Sequence, residues 1–139
     1  MSNQKKRPRI FIVEDESIVA RDIRQQLEKL GYEVVANTRR GEDAIQLTGK
    51  LSPDLVLMDI ELAGRMKGTE AAQVIMEQFG IPLVFLTANA DMETMQSAKE
   101  VKPHGYILKP FSEEELQKAV CKALSGQEDK PKQDGPGAG

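Results

Sequence analysis

The sequence predicts an α/β fold, a (βα)5 arrangement in which a five-stranded parallel sheet is doubly wound by helices. Two observations predict it. Five short apolar runs alternate with longer amphipathic segments along the chain. The runs are nearly continuous rather than alternating with polar residues, as expected of strands buried on both faces of a parallel sheet. Strand–helix alternation of this kind gives right-handed crossovers and helices on both faces of the sheet.

Taken in order, the first strand is Ile10–Val13 (IFIV), preceded by the basic cluster Lys5, Lys6, Arg7 and Arg9 around Pro8. That cluster is short and has no aromatic beside it, so it reads as a solvated lead-in over residues 1–8. Val19, Ile23, Leu27 and Leu30 then form a helical stripe, stopped by Gly31. The second strand is Glu33–Ala36, and Ala44, Ile45, Thr48 and Leu51 make the second helix, closed by Ser52-Pro53. Leu55–Met58 is the third strand. Ala71, Val74, Ile75 and Phe79 form the third helix, ended by Gly80. The fourth strand is Pro82–Leu86, followed by a weaker helix over 91–100 with Met92, Met95 and Ala98 on one side; the two methionines read as packing residues, with an adaptable contact surface as the alternative. Tyr106–Leu108 is the last strand. Ser112 with Glu115 three residues on is a capping box opening the last helix, with Leu116, Ala119, Val120, Ala123 and Leu124 along it. The folded domain is expected over 9–125, and 126–139 has the Pro, Gly and charge content of a tail or linker.

Composition excludes several function classes. The 139 residues carry a net charge of −3, too small and of the wrong sign for a nucleic-acid surface. One Cys, Cys121, excludes an internal disulfide and multi-thiolate metal sites, and it suits a reducing, cytoplasmic compartment. The single His, His104, stands in a loop and reads as a surface residue. No apolar run approaches membrane-spanning length, so no membrane association is expected.

The polar residues of interest each follow an apolar run. Glu14, Asp15 and Glu16 follow the first strand, Asp59 the third, Thr87 the fourth and Lys109 the fifth. Open α/β sheets bind ligands outside the carboxyl ends of their strands, where the strand order reverses. In the flavodoxin-like order 2-1-3-4-5 that reversal lies between strands 1 and 3, the two that carry the acids. Two carboxylates about 5 Å apart repel by roughly 3 kcal/mol at an effective dielectric of about 20. Three acids meeting there need protons, a cation, or both. Carboxylates with a lysine and a hydroxyl suit Mg²⁺ and phosphoryl chemistry. Glu14, Asp15 and Glu16 alone would also suit a solvated helix start.

The strings IFIVEDE (Ile10–Glu16), LVLMDI (Leu55–Ile60), FLTA (Phe85–Ala88) and GYILKPF (Gly105–Phe111) resemble the receiver domain of bacterial and archaeal response regulators. The resemblance covers all five βα units and is specific because the four strings occur in order. It implies that Asp59 is phosphorylated by a sensor histidine kinase, a phosphotransfer protein or a small phosphodonor. It also implies that Glu14, Asp15, Asp59 and the backbone carbonyl of Glu61 hold Mg²⁺, and that Lys109 pairs with the acids and then with the phosphoryl group. By the same resemblance Thr87 and Tyr106 are the switch residues acting on the face of helix 4, strand 5 and helix 5. Glu61 and Asn89 would tune dephosphorylation, and the Lys109–Pro110 bond would be cis. A homodimer or an attached output domain fits the family, as do a stand-alone relay and a part of a multidomain sensor.

Two departures stand out. Position 63 is Ala where the family's loop has Pro, and the loop glycine is Gly68, nine residues after Asp59 rather than eight. The first acid of the pair is Glu14 rather than Asp. Three other readings compete. An aspartate-nucleophile phosphatase would want an Asp at position 61, and the residue there is Glu. An FMN protein would want a Ser/Thr-rich phosphate loop where this chain has acids. A pseudo-receiver scaffold would have lost residues that are all present here.

Overall fold

The computed structural model describes residues 7–62 and 64–129. Its elements alternate in the order β1 (Arg9–Val13), α1 (Ser17–Lys29), β2 (Glu33–Thr38), α2 (Gly41–Leu51), β3 (Leu55–Asp59), α3 (Gly68–Phe79), β4 (Leu83–Thr87), α4 (Met92–Val101), β5 (Gly105–Leu108) and α5 (Glu113–Asp129). All four strand pairings are parallel, and the sheet order is β2-β1-β3-β4-β5, as the sequence predicts.

Two apolar cores lie on the two faces of this sheet. Ile10, Ile12, Leu55, Leu57, Val84 and Leu86 meet α1 and α5 through Ile23, Leu27, Leu116 and Val120. Phe11, Val13, Val56, Met58, Leu83 and Phe85 meet α2, α3 and α4 through Ala44, Ala71, Ile75 and Ala98. Successive strand side chains point to opposite faces, so an uninterrupted apolar run serves both cores at once. That holds in full for β3 and β4, which are buried throughout. The edge strands β2 and β5 are only half-buried, and Leu108 is 49% exposed. An edge strand has one neighbour and incomplete helix cover, so burial on both faces does not extend to it.

The helix ends follow local chemistry. Gly80 takes φ +64° and closes α3, a left-handed conformation that costs glycine little. Ser52, a non-glycine, does the same for α2 at φ 47°. The capping box of α5 is present, with Ser112 N–H donating to Glu115 Oε1 at 2.9 Å and Glu115 N–H to Ser112 Oγ at 3.1 Å. Asp91 caps α4 by accepting from Thr94 N–H at 2.7 Å.

Two expectations need correction. The helix α5 runs to Asp129, into the segment 126–139 expected to be tail or linker, since no Pro interrupts the chain before Pro131. Positions 1–6 of the lead-in and 130–139 of the tail lie outside the described residues, as does Ala63. Met92 is not a packing residue: it opens α4 and is 84% exposed, while Ala98 is the buried residue of that helix. His104 is exposed in the loop before β5, as the sequence predicts, and is tied to β4. Its backbone N–H donates to the Leu83 carbonyl at 2.8 Å, and its Nδ1 accepts from Leu83 N–H at 3.3 Å.

Gly68 links the fold to the strand-end residues. It is buried at the start of α3, and a Cβ built there would run into the carbonyl oxygen of Asp59 and lie 2.9 Å from Ile60 Cα. Those are backbone atoms, which cannot rotate away. Gly68→Ala should therefore lose about 2–3 kcal/mol of stability in urea unfolding. A loss below about 0.5 kcal/mol would mean the loop relaxes freely.

Candidate functional site

Strand-end hydrogen bonds carry the sheet's order into the loops. Glu14 N–H donates to Thr38 O at 3.0 Å, Ile60 N–H to Leu86 O at 2.9 Å, and Lys109 N–H to Thr87 O at 2.8 Å. Each residue beside a candidate group is thus held by a neighbouring strand, and the ends of β1, β3, β4 and β5 converge. The Lys109–Pro110 peptide bond is cis.

Glu14, Asp15 and Asp59 come together at this edge, each offering a carboxylate oxygen within 4.8 Å of the others. Glu14 is fully buried and Asp59 is 2% exposed, so neither carboxylate is solvated by bulk water. Lys109 answers both charges. Its Nζ donates to Glu14 Oε1 at 2.9 Å and to Asp59 Oδ2 at 3.3 Å. Glu14 Oε2 accepts from Glu16 N–H at 3.1 Å, and Asp59 Oδ1 from Glu61 N–H at 2.9 Å. Glu16 itself is the residue before α1 and makes no side-chain cap.

Lys109 does not cancel the cost of burying Asp59. Burial, followed by the Glu14 charge, pushes the Asp59 carboxyl up to about 7, against the opposing pull of Lys109 and the Glu61 amide. Burial alone would lower the Lys109 ammonium. The Glu14 hydrogen bond and the Asp59 and Glu14 charges outweigh it and hold the ammonium above its ordinary value. Three converging carboxylate oxygens fit a hard divalent cation, which takes one or two carboxylates and keeps water in its remaining positions.

The remaining candidates sit around this cluster. Thr87, buried at the end of β4, has its hydroxyl 2.7 Å from Glu61 Oε2 and 3.0 Å from the Asn89 carbonyl, and it accepts from Asn89 N–H at 3.0 Å. The Asn89 side chain faces the other way, accepting from Asp91 N–H at 3.1 Å in the turn before α4. Tyr106 is half-buried, its ring stacked on Phe85 with centroids 6.4 Å apart. Burial raises its phenol above the ordinary value. Cys121 is exposed on α5.

The sequence reading named Glu61 as a tuning residue but missed where its side chain binds, on the Thr87 hydroxyl. That side chain crosses from the β3 loop to β4, where its Oε1 also accepts from Ala88 N–H at 3.3 Å. The signal for it lay in the sheet register, because pairing Asp59 with Leu86 sets residue 61 beside residue 88.

The family model for the response regulator receiver domain matches residues 10–121. The chain belongs to that family. The receiver is 34% identical over 117 residues to the transcriptional regulatory protein PdtaR of Mycobacterium tuberculosis, covering 84% of this chain and 57% of that relative. It is 34% identical over 125 residues to the DNA-binding response regulator MtrA of Mycolicibacterium smegmatis, covering 90% and 54%. The chain thus spans about half the length of the curated relatives it matches. Among solved structures, the signal receiver domain of a modulated diguanylate cyclase from Desulfovibrio desulfuricans G20 superposes with a TM-score of 0.86 at 36% identity, covering 90% of this chain and 99% of that one. Among the described residues, no helix is long and apolar enough to cross a membrane.

Proposed function

We propose that this receiver takes a phosphoryl group onto Asp59 from a histidine kinase, a phosphotransfer protein or a small phosphodonor, acting in the cytoplasm. The observation that carries this reading is Lys109 Nζ held between the buried carboxylates of Glu14 and Asp59 at the strand ends. An Asp59 carboxylate oxygen attacks phosphorus and forms a P–O bond. The bond from phosphorus to the donor's nitrogen or oxygen breaks, and the donor leaves with that electron pair. The acceptor must be ionised to attack, and Lys109 opposes the protonation that burial favours. Glu14, Asp15, Asp59 and the Glu61 carbonyl would hold Mg²⁺, which when bound supplies neutralising charge for the acids and the incoming phosphoryl oxygens.

Positioning supplies most of what such a transfer needs. The Glu61 amide aims Asp59 through its Oδ1, leaving the other oxygen facing Lys109. Once Asp59 is phosphorylated, Lys109 would follow the charge to the phosphoryl oxygens. The Thr87 hydroxyl would do likewise and pull the β4 end inward. Tyr106, opposite Phe85 in the β4–β5 register, would transmit that shift to α4, β5 and α5.

Acetyl phosphate with Mg²⁺, read by intact mass, tests the assignment. Wild type should gain one phosphoryl group, and it should gain none with EDTA or in Asp59→Asn. An adduct of equal yield in Asp59→Asn would overturn it.

A further inference from the structure

Glu61 turns away from the acidic cluster, and its carboxylate takes the donors at the end of β4. Its Oε2 lies 2.7 Å from the Thr87 hydroxyl and its Oε1 3.3 Å from Ala88 N–H. A hydroxyl has one hydrogen to give. The Asn89 carbonyl at 3.0 Å is the other acceptor within reach, but a carboxylate at shorter distance forms the stronger, charge-assisted bond. The Thr87 hydroxyl and the Ala88 amide, donors at the end of β4 beside β3, are therefore already committed to an anion. A phosphoryl group on Asp59 presents anionic oxygens that want these same donors.

We infer that Glu61 is an internal competitor of the phosphoryl group, its carboxylate holding the Thr87 hydroxyl and the Ala88 amide until phosphorylation displaces it. This rests on Asp59 being the acceptor. Glu61 acts as a positioning residue: it biases Thr87 toward the resting arrangement and sets a threshold that the phosphoryl group must exceed. Displacement is open to it, because Glu61 is exposed and can swing into water. It is also required, since two anions cannot share one hydroxyl hydrogen.

The test uses beryllofluoride with Mg²⁺ as the phosphoryl probe, followed by the amide resonances of Ala88 and of β5 in wild type, Glu61→Ala, Glu61→Asp and Glu61→Gln. Removing or shortening the side chain frees the donors, so the Ala and Asp variants should bind about fivefold tighter. The Gln variant has a single acceptor oxygen, so it keeps the Ala88 amide but gives up the Thr87 hydrogen, and it should bind about twofold tighter than wild type, between wild type and Ala. General charge repulsion would give the opposite pattern, with Gln tight like Ala and Asp weak like wild type. That pattern, or equal affinity in all four proteins, overturns the inference. Failure of the acceptor reading is separable, because the probe would then still bind in Asp59→Asn. Ligand-free spectra give a further check: the Ala88 amide should shift in Glu61→Ala and hold in Glu61→Gln, and a reversed order also overturns the inference.

Discussion

Lys109→Ala should destabilise the resting, Mg²⁺-free receiver by about 2–4 kcal/mol at pH 8, as read by urea unfolding. The Lys109 side chain is 14% exposed and faces carboxylates with 0% and 3% of their side-chain surface exposed. Removing one partner of a buried ion pair typically costs about 3–5 kcal/mol, because the remaining charge keeps its desolvation cost without its attraction. Proton uptake relieves part of this. With Lys109 present the folded Asp59 titrates near 7, above its unfolded value, so the native state holds the extra proton and stability falls as pH rises between the two. Without the lysine that folded value climbs further and the fall extends to higher pH. The deficit of the mutant should therefore be larger at pH 8 than at pH 5.5. Lys109 itself does not titrate in this window, since its neighbours hold it above its ordinary value. An equal deficit at both pH values would mean that Lys109 contributes packing rather than charge.

Asp59→Asn should have the opposite sign. An acid lifted from 3.8 to about 7 is destabilised when ionised. At about 1.4 kcal/mol per pH unit the ceiling is about 4 kcal/mol. Glu14 and Lys109 readjust when the charge goes, so a gain of about 1–3 kcal/mol at pH 8 is expected. This penalty is absent below the unfolded value and complete above the folded one. The advantage of the mutant should grow from about pH 4 to about pH 7 and level off beyond. Mg²⁺ should narrow the gap, because a ligand of the native state stabilises the protein that binds it better. A mutant less stable than wild type at pH 8 without Mg²⁺ would show that the Lys109–Asp59 attraction outweighs the cost of burying the acid.

Both signs follow from the same burial, and burial is where sequence and structure part company. Apolar runs such as LVLM and PLVFL announce interior strands because a residue with helices on both sides must be apolar whichever way it points. Gly80 and the Ser112–Glu115 pair are equally legible, because helix ends are set by backbone geometry within a few residues. Met92 was less so. Helical spacing tells which residues share a face, but how far a helix dips into the core depends on what packs around it. The edge strands β2 and β5 show the same limit, since cover is a property of the assembled sheet.

The sequence by itself determined the fold class, the strand order through the family motifs, and which carboxylates, lysine and hydroxyl gather at the strand ends. Those properties lie in residue types and short spacings along one strand or helix. Only the tertiary structure decided how the groups share protons and hydrogen bonds. Lys109 reaches Glu14 across 95 positions and Asp59 across 50, and Glu61 reaches Thr87 across 26. Each of these contacts depends on an ångström or less at the meeting of separate loops. A carboxylate two residues after Asp59 could face water, a cation or a hydroxyl. Sheet register and loop path, which no local pattern encodes, bring it to the Thr87 hydroxyl.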